Sequence, residues 1–441
     1  MALIALHGTS AGVARTAAPP PRDALVQLGE ALFNDDTLSR PRGQSCASCH
    51  AREAGWSSPD SVANEHAGVV QGAVAGRYVN RRPPTIGYAE FMPAGPPVFL
   101  TSRAAYAGGF FYDGRAATLA DQISGPIRNP NEMNNTPAGV VRAVADGPNV
   151  ARFRKAFGVE VSSLAVDEAF QDIVAAIASF ERTATFSPFS SRYDAYVAGK
   201  LSLTAAELAG LQLFTGSRTG RPGGPAVKTA TCSSCHTVEP AAAGRRDVFT
   251  SGTFHNIGIP KNPANPYYAQ TDAAANPEGC NPLGAAYIDY GLGSVLYLQK
   301  SCPPGNAGNG SDGRGDFLRI NGTFKTPTLR NVDTRPAPDF VKCYGHNGYF
   351  KSPREMVHFY NTRNLTTSPG EVINFTARQP YAHLQGKPLW PPPENPDPQT
   401  LVNPTGARGL IGNLGLTAAD EANLVAFLQT LGDAPPASTS R

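Results

Sequence analysis

Four stretches of the chain place apolar residues at the 3.6-residue spacing of an amphipathic helix. They run from Ala24 to Asn34, Val166 to Thr185, Leu203 to Thr215 and Leu416 to Gly432. The first and third both carry Leu-Phe near their ends, and the second and fourth each close one half of the chain. This repetition predicts two copies of one plan, each opened and closed by a helix. Thr204 followed by Glu207 spells a capping box and marks where the third helix begins. Between the copies, Ser187 to Leu201 carries Pro, Ser and Gly and reads as a boundary. Val62 to Ala107 and Pro260 to Asp316 have no helical period and read as long loop insertions. Strand signals are weak late in the chain: Asn374 to Ala382 lacks clean alternation, and Pro388 to Pro398 is proline-rich. The expected fold is mostly α, with a leader at 1–20 and two units at 21–190 and 201–435.

Composition narrows the class without naming it. Among 441 residues, 41% are apolar and 17% charged, enough for packed cores. Gly 45 and Pro 40 carry no collagen-like period and fit a loop-rich globular protein. A net charge of +3 gives no footprint for nucleic acid. No apolar run approaches the ~20 residues of a membrane span. Met1 to Leu6 is apolar and is followed by small residues. Lacking a basic start and a full apolar core, this is either a flexible leader or the remnant of an export signal.

The cysteines carry the chemistry. Of seven, four fall in Cys46-Ala-Ser-Cys49-His50 and Cys232-Ser-Ser-Cys235-His236. Two thiols about one turn apart can form thioethers to haem vinyl groups, and the adjacent histidine is then placed on the iron. Zinc needs four ligands and each cluster supplies three at most. A redox dithiol needs no following histidine. Both motifs therefore predict covalent haem c on Cys46, Cys49, Cys232 and Cys235, with His50 and His236 as proximal iron ligands. A helix before each motif and another closing each unit is the plan of a small cytochrome c domain, so two cytochrome c-type domains are expected. Such haem is attached outside the bacterial cytoplasm, which points to the periplasm. The remaining Cys280, Cys302 and Cys343 allow one disulfide and a free thiol, or none; a Cys280–Cys302 bond would anchor the second long loop.

The segment GGFFYDGRAATLADQISGPIRNPNEM, Gly108 to Met133, resembles the signature of the bacterial di-haem cytochrome c peroxidases and their relative MauG. So do Phe324 to Val332 and Tyr344 to Arg363. The resemblance implies an N-terminal peroxidatic domain whose haem meets hydrogen peroxide, and a C-terminal electron-transfer domain. Its active-site glutamine, proline and acid fall on Gln122, Pro126 and Glu132. Glu132 would move a proton between the two peroxide oxygens; read alone, it is a helix-start carboxylate in Asn-Pro-Asn-Glu. Tyr112 occupies the position of an aromatic between the haems, usually Trp, and would have to shed its phenolic proton on oxidation.

Further ligands follow from the same resemblance. His66, sixteen residues after His50, is either a removable distal ligand of the first haem or a loop histidine. Tyr360 sits where peroxidases carry an axial Met and MauG carries Tyr, so it is the expected second ligand of the second haem. Met356, one turn earlier on the same face, is its rival. His358 is expected at the surface or behind the ligands, while His255 and His346 resemble residues near the second haem. The family binds calcium between the haems through carbonyls and an Asn of an Arg-Asn-X-Pro segment. Here that segment reads Arg81-Arg82-Pro83-Pro84, which leaves Asn80 as the substitute. MauG carries a Trp where this chain has Ala230.

The function implied is a MauG-like, peroxide-using di-haem oxidoreductase whose second haem transfers or stores electrons. Its electrons would come from a small redox protein or a protein substrate, and a homodimer is left open. The alternatives are a cytochrome c peroxidase that removes peroxide, a di-haem electron carrier without catalysis, and a haem-based sensor. Gln122 and Glu132 favour the enzyme, since a carrier has no use for an acid poised over iron.

Overall fold

The computed structural model describes residues 21–216, 231–238, 246–270, 284–298, 320–364, 372–374, 380–382, 390–395, 410–412 and 414–435. The leader, Ala230, Cys280 and Cys302 lie outside the described residues. The first part holds helices α1 (Arg22–Phe33), α2 (Cys46–Cys49), α3 (Ser61–His66), α4 (Leu119–Arg128), α5 (Pro137–Asp146), α6 (Val150–Phe157) and α7 (Val166–Glu181). Strands β1 (Val98–Leu100) and β2 (Ala105–Ala107) form a hairpin between α3 and α4. Helices α8 (Arg192–Val197) and α9 (Ala205–Thr215) follow, then β3 (Phe254–His255) pairing with β4 (Phe324–Lys325). After α10 (Pro353–Thr362) come β5 (Val372–Asn374), its antiparallel partner β6 (Pro380–Ala382), and α11 (Ala418–Gln429). The chain is mostly helical, as expected. Among the described residues no helix is long and apolar enough to cross a membrane.

The predicted repeat is visible as packing. Helix α1 lies against α7, and α9 against α11. A Cβ on Gly29 would come within 2.0 Å of the Ala176 carbonyl oxygen and 2.9 Å of Phe180 Cβ. A Cβ on Gly210 would come within 2.0 Å of the Asn423 carbonyl oxygen and 2.7 Å of Phe427 Cβ. Each pair of helices thus meets at a glycine, and each glycine is followed four residues later by a buried Phe, Phe33 or Phe214. The apolar stripes close two separate cores. One is built on Leu28, Leu32, Ile173 and Ile177; the other on Leu213, Phe249, Leu424 and Phe427. The capping box at Thr204 and Glu207 forms as predicted.

Three local readings change. The boundary stretch contains α8, capped by Ser191 and Asp194, and its Tyr193 packs into the second core. There the Arg330 guanidinium, its side chain 0% exposed, binds Asp194 at 2.6 Å. The first long loop is pinned by Arg81, which bridges Asp289 (2.7 Å) and Asp113 (2.6 Å) with all three side chains buried. Strands β5 and β6 pair where no alternation was seen, because main-chain hydrogen bonds can make a short ladder without an alternating pattern.

Candidate functional site

Each Cys-X-X-Cys-His motif borders its own cavity. The first measures about 880 Å³ and is lined by Cys49, His50, Gln122, Pro126 and Glu132. The second measures about 270 Å³ and is lined by Cys232, Cys235, His236, Met356 and Tyr360. Tyr112, Gln122 and Arg82 border both.

The two histidines are held by the same device. The His50 amide closes on the Cys46 carbonyl (3.0 Å), and its ring Nδ1 lies 3.1 Å from the Trp56 carbonyl. The His236 amide closes on the Cys232 carbonyl (2.9 Å), and its Nδ1 lies 3.0 Å from the Phe249 carbonyl. Trp56 and Phe249 both adopt left-handed backbone, with φ of 60° and 52°. A carbonyl can only accept, so Nδ1 carries the proton and Nε2 keeps its lone pair as a ligand. Burial pulls both imidazoles down to about 4, so each is the neutral base that a metal requires.

The sulfurs do not form a redox pair. Burial pushes Cys49 and Cys232 up to about 12, and raises Cys46 and Cys235 as well. A reactive dithiol needs the opposite shift. Among the described residues no cluster of three or more His, Cys, Asp and Glu side chains could hold a metal ion. Unpaired cysteines beside a neutral, Nε2-presenting histidine fit haem c, and they fit it twice.

Over the first cavity, α4 places Gln122 and Pro126 one turn apart on one face. Pro126 has no N–H to offer the Gln122 carbonyl, so this turn of α4 is open at the cavity. Beyond the helix, Asn129 Nδ2 donates to Glu132 Oε2 at 2.7 Å. Burial raises the Glu132 carboxyl above its usual range, opposed by Arg115 and the Asn129 bond. Asp113 is held well below the carboxylate range by Arg115 and Arg81, which outweigh its burial. Tyr112 is buried, its hydroxyl has no hydrogen-bond partner among the described residues, and its ring lies 5.8 Å from the Arg82 guanidinium. Burial raises its phenol.

The two rival ligands line the second cavity together but pack against different clusters. Tyr360 packs with Cys232 against the second core, whereas Met356 packs into an aromatic cluster around Phe350, Phe359 and Trp390. Burial raises the Tyr360 phenol, and the Cys235 and Cys232 sulfurs add to the shift. His255 Nε2 meets Thr253 Oγ1 at 2.8 Å, and His346 stacks on Phe324 with centroids 3.6 Å apart. His358 is not a surface residue: its Nδ1 meets Glu421 of α11 at 2.8 Å.

Two further candidate ligands are placed by the structure. His66 is exposed at the end of α3 and is not among the residues lining the first cavity. Asn80 borders the first cavity. Its amide donates to Tyr287 Oη (2.7 Å) and to Asp289 Oδ2 (3.0 Å), and both Asp289 oxygens already accept from Arg81.

Sequence reasoning missed Glu181, which is 4% exposed and lies at the end of α7 close enough to raise the Cys46 thiol. Burial pushes its own carboxyl up to about 8. The signal was available: Glu181 follows Ile177 by four residues on the apolar stripe. It also missed Lys342, whose contacts come from residues as far away as Ala54.

Residues 23–202 match the di-haem cytochrome c peroxidase family. Methylamine utilization protein MauG of Paracoccus denitrificans is 32% identical, covering 98% of this chain and 94% of that protein. Cytochrome c551 peroxidase of Nitrosomonas europaea is 30% identical over 62% of this chain and 76% of that protein. The chain belongs to the di-haem cytochrome c peroxidase family and is a peroxide-using di-haem c-type oxidoreductase. Membership implies two haem c groups. The crystal structure of the diheme peroxidase BthA from Burkholderia thailandensis aligns with a TM-score of 0.70 at 31% identity, covering 95% of this chain and 87% of that one.

Proposed function

We propose that the enzyme is MauG-like and divides its work between the two cavities. The first, with His50 below and Gln122, Pro126 and Glu132 above, is the peroxidatic site of an N-terminal cytochrome c-type domain. The second, in a C-terminal electron-transfer domain, uses His236 and Tyr360 as axial ligands. The single observation that carries this is the contrast opposite the two histidines. The second cavity presents Tyr360 beside Cys232, while the residues lining the first include no histidine besides His50 and no methionine.

Haem c, when bound, supplies the iron that takes up peroxide and accepts electrons. Gln122 lines the open face and orients the incoming peroxide. Glu132, steadied by Asn129, takes the proton from the near peroxide oxygen and returns it to the far one, so that oxygen leaves as water. Tyr112, bordering both cavities, would serve as the relay between the haems and would have to give up its hydroxyl proton when oxidised. Electrons come from a small redox protein or a protein substrate, in the periplasm where haem c is attached. The likeness to MauG in overall length and in the tyrosine position favours this reading over simple peroxide removal.

EPR of the resting holoprotein tests it. The expected spectrum has one high-spin haem and one low-spin haem, with the low-spin signal altered in Tyr360→Phe and unaltered in Met356→Leu. Two low-spin haems, one of them lost on replacing His66, would sink the open-site assignment.

A further inference from the structure

Calcium between the haems is implied by resemblance, yet at the seam of the two halves carbonyl oxygens accept from the chain's own cations. Lys342 is 5% exposed. Its Nζ donates to the carbonyls of Ala54 (2.9 Å), Asn331 (2.9 Å) and Thr334 (3.3 Å). An ammonium has three N–H groups, and here three carbonyl oxygens receive them. Calcium takes six to eight oxygens, usually with carboxylates among them. Among the described residues no carboxylate forms an ion pair with Lys342. Arg82 stands where the family's calcium-binding Asn would fall in register. Its guanidinium donates to the Gly345 carbonyl (2.8 Å), Ser57 Oγ (3.2 Å) and the Pro83 carbonyl (3.3 Å). A divalent ion placed here would meet the Arg82 guanidinium and oxygens that already accept from Lys342 and Arg82.

We propose that the Lys342 ammonium, with Arg82, is the cation that joins the two haem-binding regions, and that the enzyme holds no calcium there. The cage also positions the first haem's ligand. Ala54 lies two residues before Trp56, whose carbonyl orients His50, and the intervening Gly55 has no room for a side chain. A Cβ there would meet the Asn331 carbonyl oxygen at 2.5 Å and Lys342 Nζ at 2.9 Å. Lys342 therefore ties the His50 loop to the segment 331–334 of the other half. Burial, aided by Arg82, brings its ammonium down to about 7, opposed by Asp333, so the tie is charged at and below neutral pH.

The test uses the di-haem holoprotein and does not depend on the peroxide site, so its failure is separable from failure of the functional reading. Metal analysis after dialysis in calcium-free buffer should find far less than one calcium per chain, and EGTA should leave the resting EPR spectrum and melting temperature unchanged. One tightly held calcium per chain, with an EPR change on its removal, would overturn the proposal whether or not any variant folds. Lys342→Met should lower the melting temperature and shift the first haem's EPR signal, and Lys342→Arg should restore part of both. A Lys342→Met holoprotein with wild-type melting and wild-type first-haem EPR would equally overturn it.

Discussion

The two haem-binding regions are alike below the histidine and unlike above it. Below, the same main-chain bond locks each imidazole, at 3.1 Å and 3.0 Å, from an aromatic residue in left-handed backbone. Above, the first cavity is wide and charged, with Glu132, Arg115, Arg81 and Asp113 along its wall. The second is smaller, and its lining joins Tyr360 and aliphatic side chains such as Leu414 and Leu424 to cations such as Lys325 and Arg330, with no carboxylate among the described residues. Besides burial, carboxylates raise both thiols of the first motif, Glu181 at Cys46 and Glu132 at Cys49; among the described residues none acts on Cys232 or Cys235. The difference teaches that two copies of one plan can hold their histidines alike and still present different surroundings for chemistry, which is what the proposed division of work rests on.

The largest effect should come from removing the acid that sets the first cavity apart. Glu132→Gln should slow peroxide consumption by roughly 10²–10⁴-fold, the range typical of a placed acid/base, while a pyridine haemochrome assay still finds two haems. A wild-type rate would erase the functional contrast. Next comes the charge wall. Arg81→Gln would leave Asp113 and Asp289 buried without their shared partner, and chemical denaturation should register a loss of about 3–5 kcal/mol.

Tyr360→Met sharpens the other side. Spectroelectrochemistry should show the second haem's potential raised by on the order of 0.1 V, a fraction of the roughly 0.8 V that axial ligands span. The first haem should stay where it was. If Met356→Leu moves the potential instead, the ligand has been misassigned.

Glu181 gives a pH test of the charge difference. Its carboxyl, pushed up to about 8 from 4.5, stays protonated in the fold while the unfolded chain ionises. Below about pH 4.5 both states hold the proton and there is no cost. Stability then falls as pH rises from 4.5 to 8, and levels off above that. Glu181→Gln should flatten this decline in melting temperature measured against pH. The smallest effect belongs to the shared scaffold: Thr118→Ala and Thr204→Ala, which remove the caps of α4 and α9, should each cost about 1 kcal/mol.

What could be read from the sequence was local. Thr204 and Glu207 lie within one turn, so the cap at α9 declared itself. Both haem motifs are five residues long, and the helices around them carry their own period. What could not be read spans the chain. Arg81 meets Asp289 across 208 positions, Lys342 meets Ala54 across 288, and Arg330 meets Asp194 across 136. No window of sequence contains both ends of such a contact. Helix α8 was hidden for another reason: six residues beside Pro, Ser and Gly carry too little period, although Ser191 and Asp194 spell its cap. The exposure of His66 was also out of reach, since a spacing of sixteen residues does not say which way a short helix will turn it.

The carbonyls that hold the two histidines have a consequence for how such proteins diverge. A carboxylate partner can be gained or lost by one codon change, and the pull on the iron would drift with it. A main-chain carbonyl survives nearly every substitution at Trp56 or Phe249 that keeps the backbone bend. Mutation therefore finds little to alter on that side; under the proposed assignment, the opposite face is where a single exchange at position 360 would replace one ligand chemistry with another. A protein built this way could change what its second haem does without loosening its hold on either histidine.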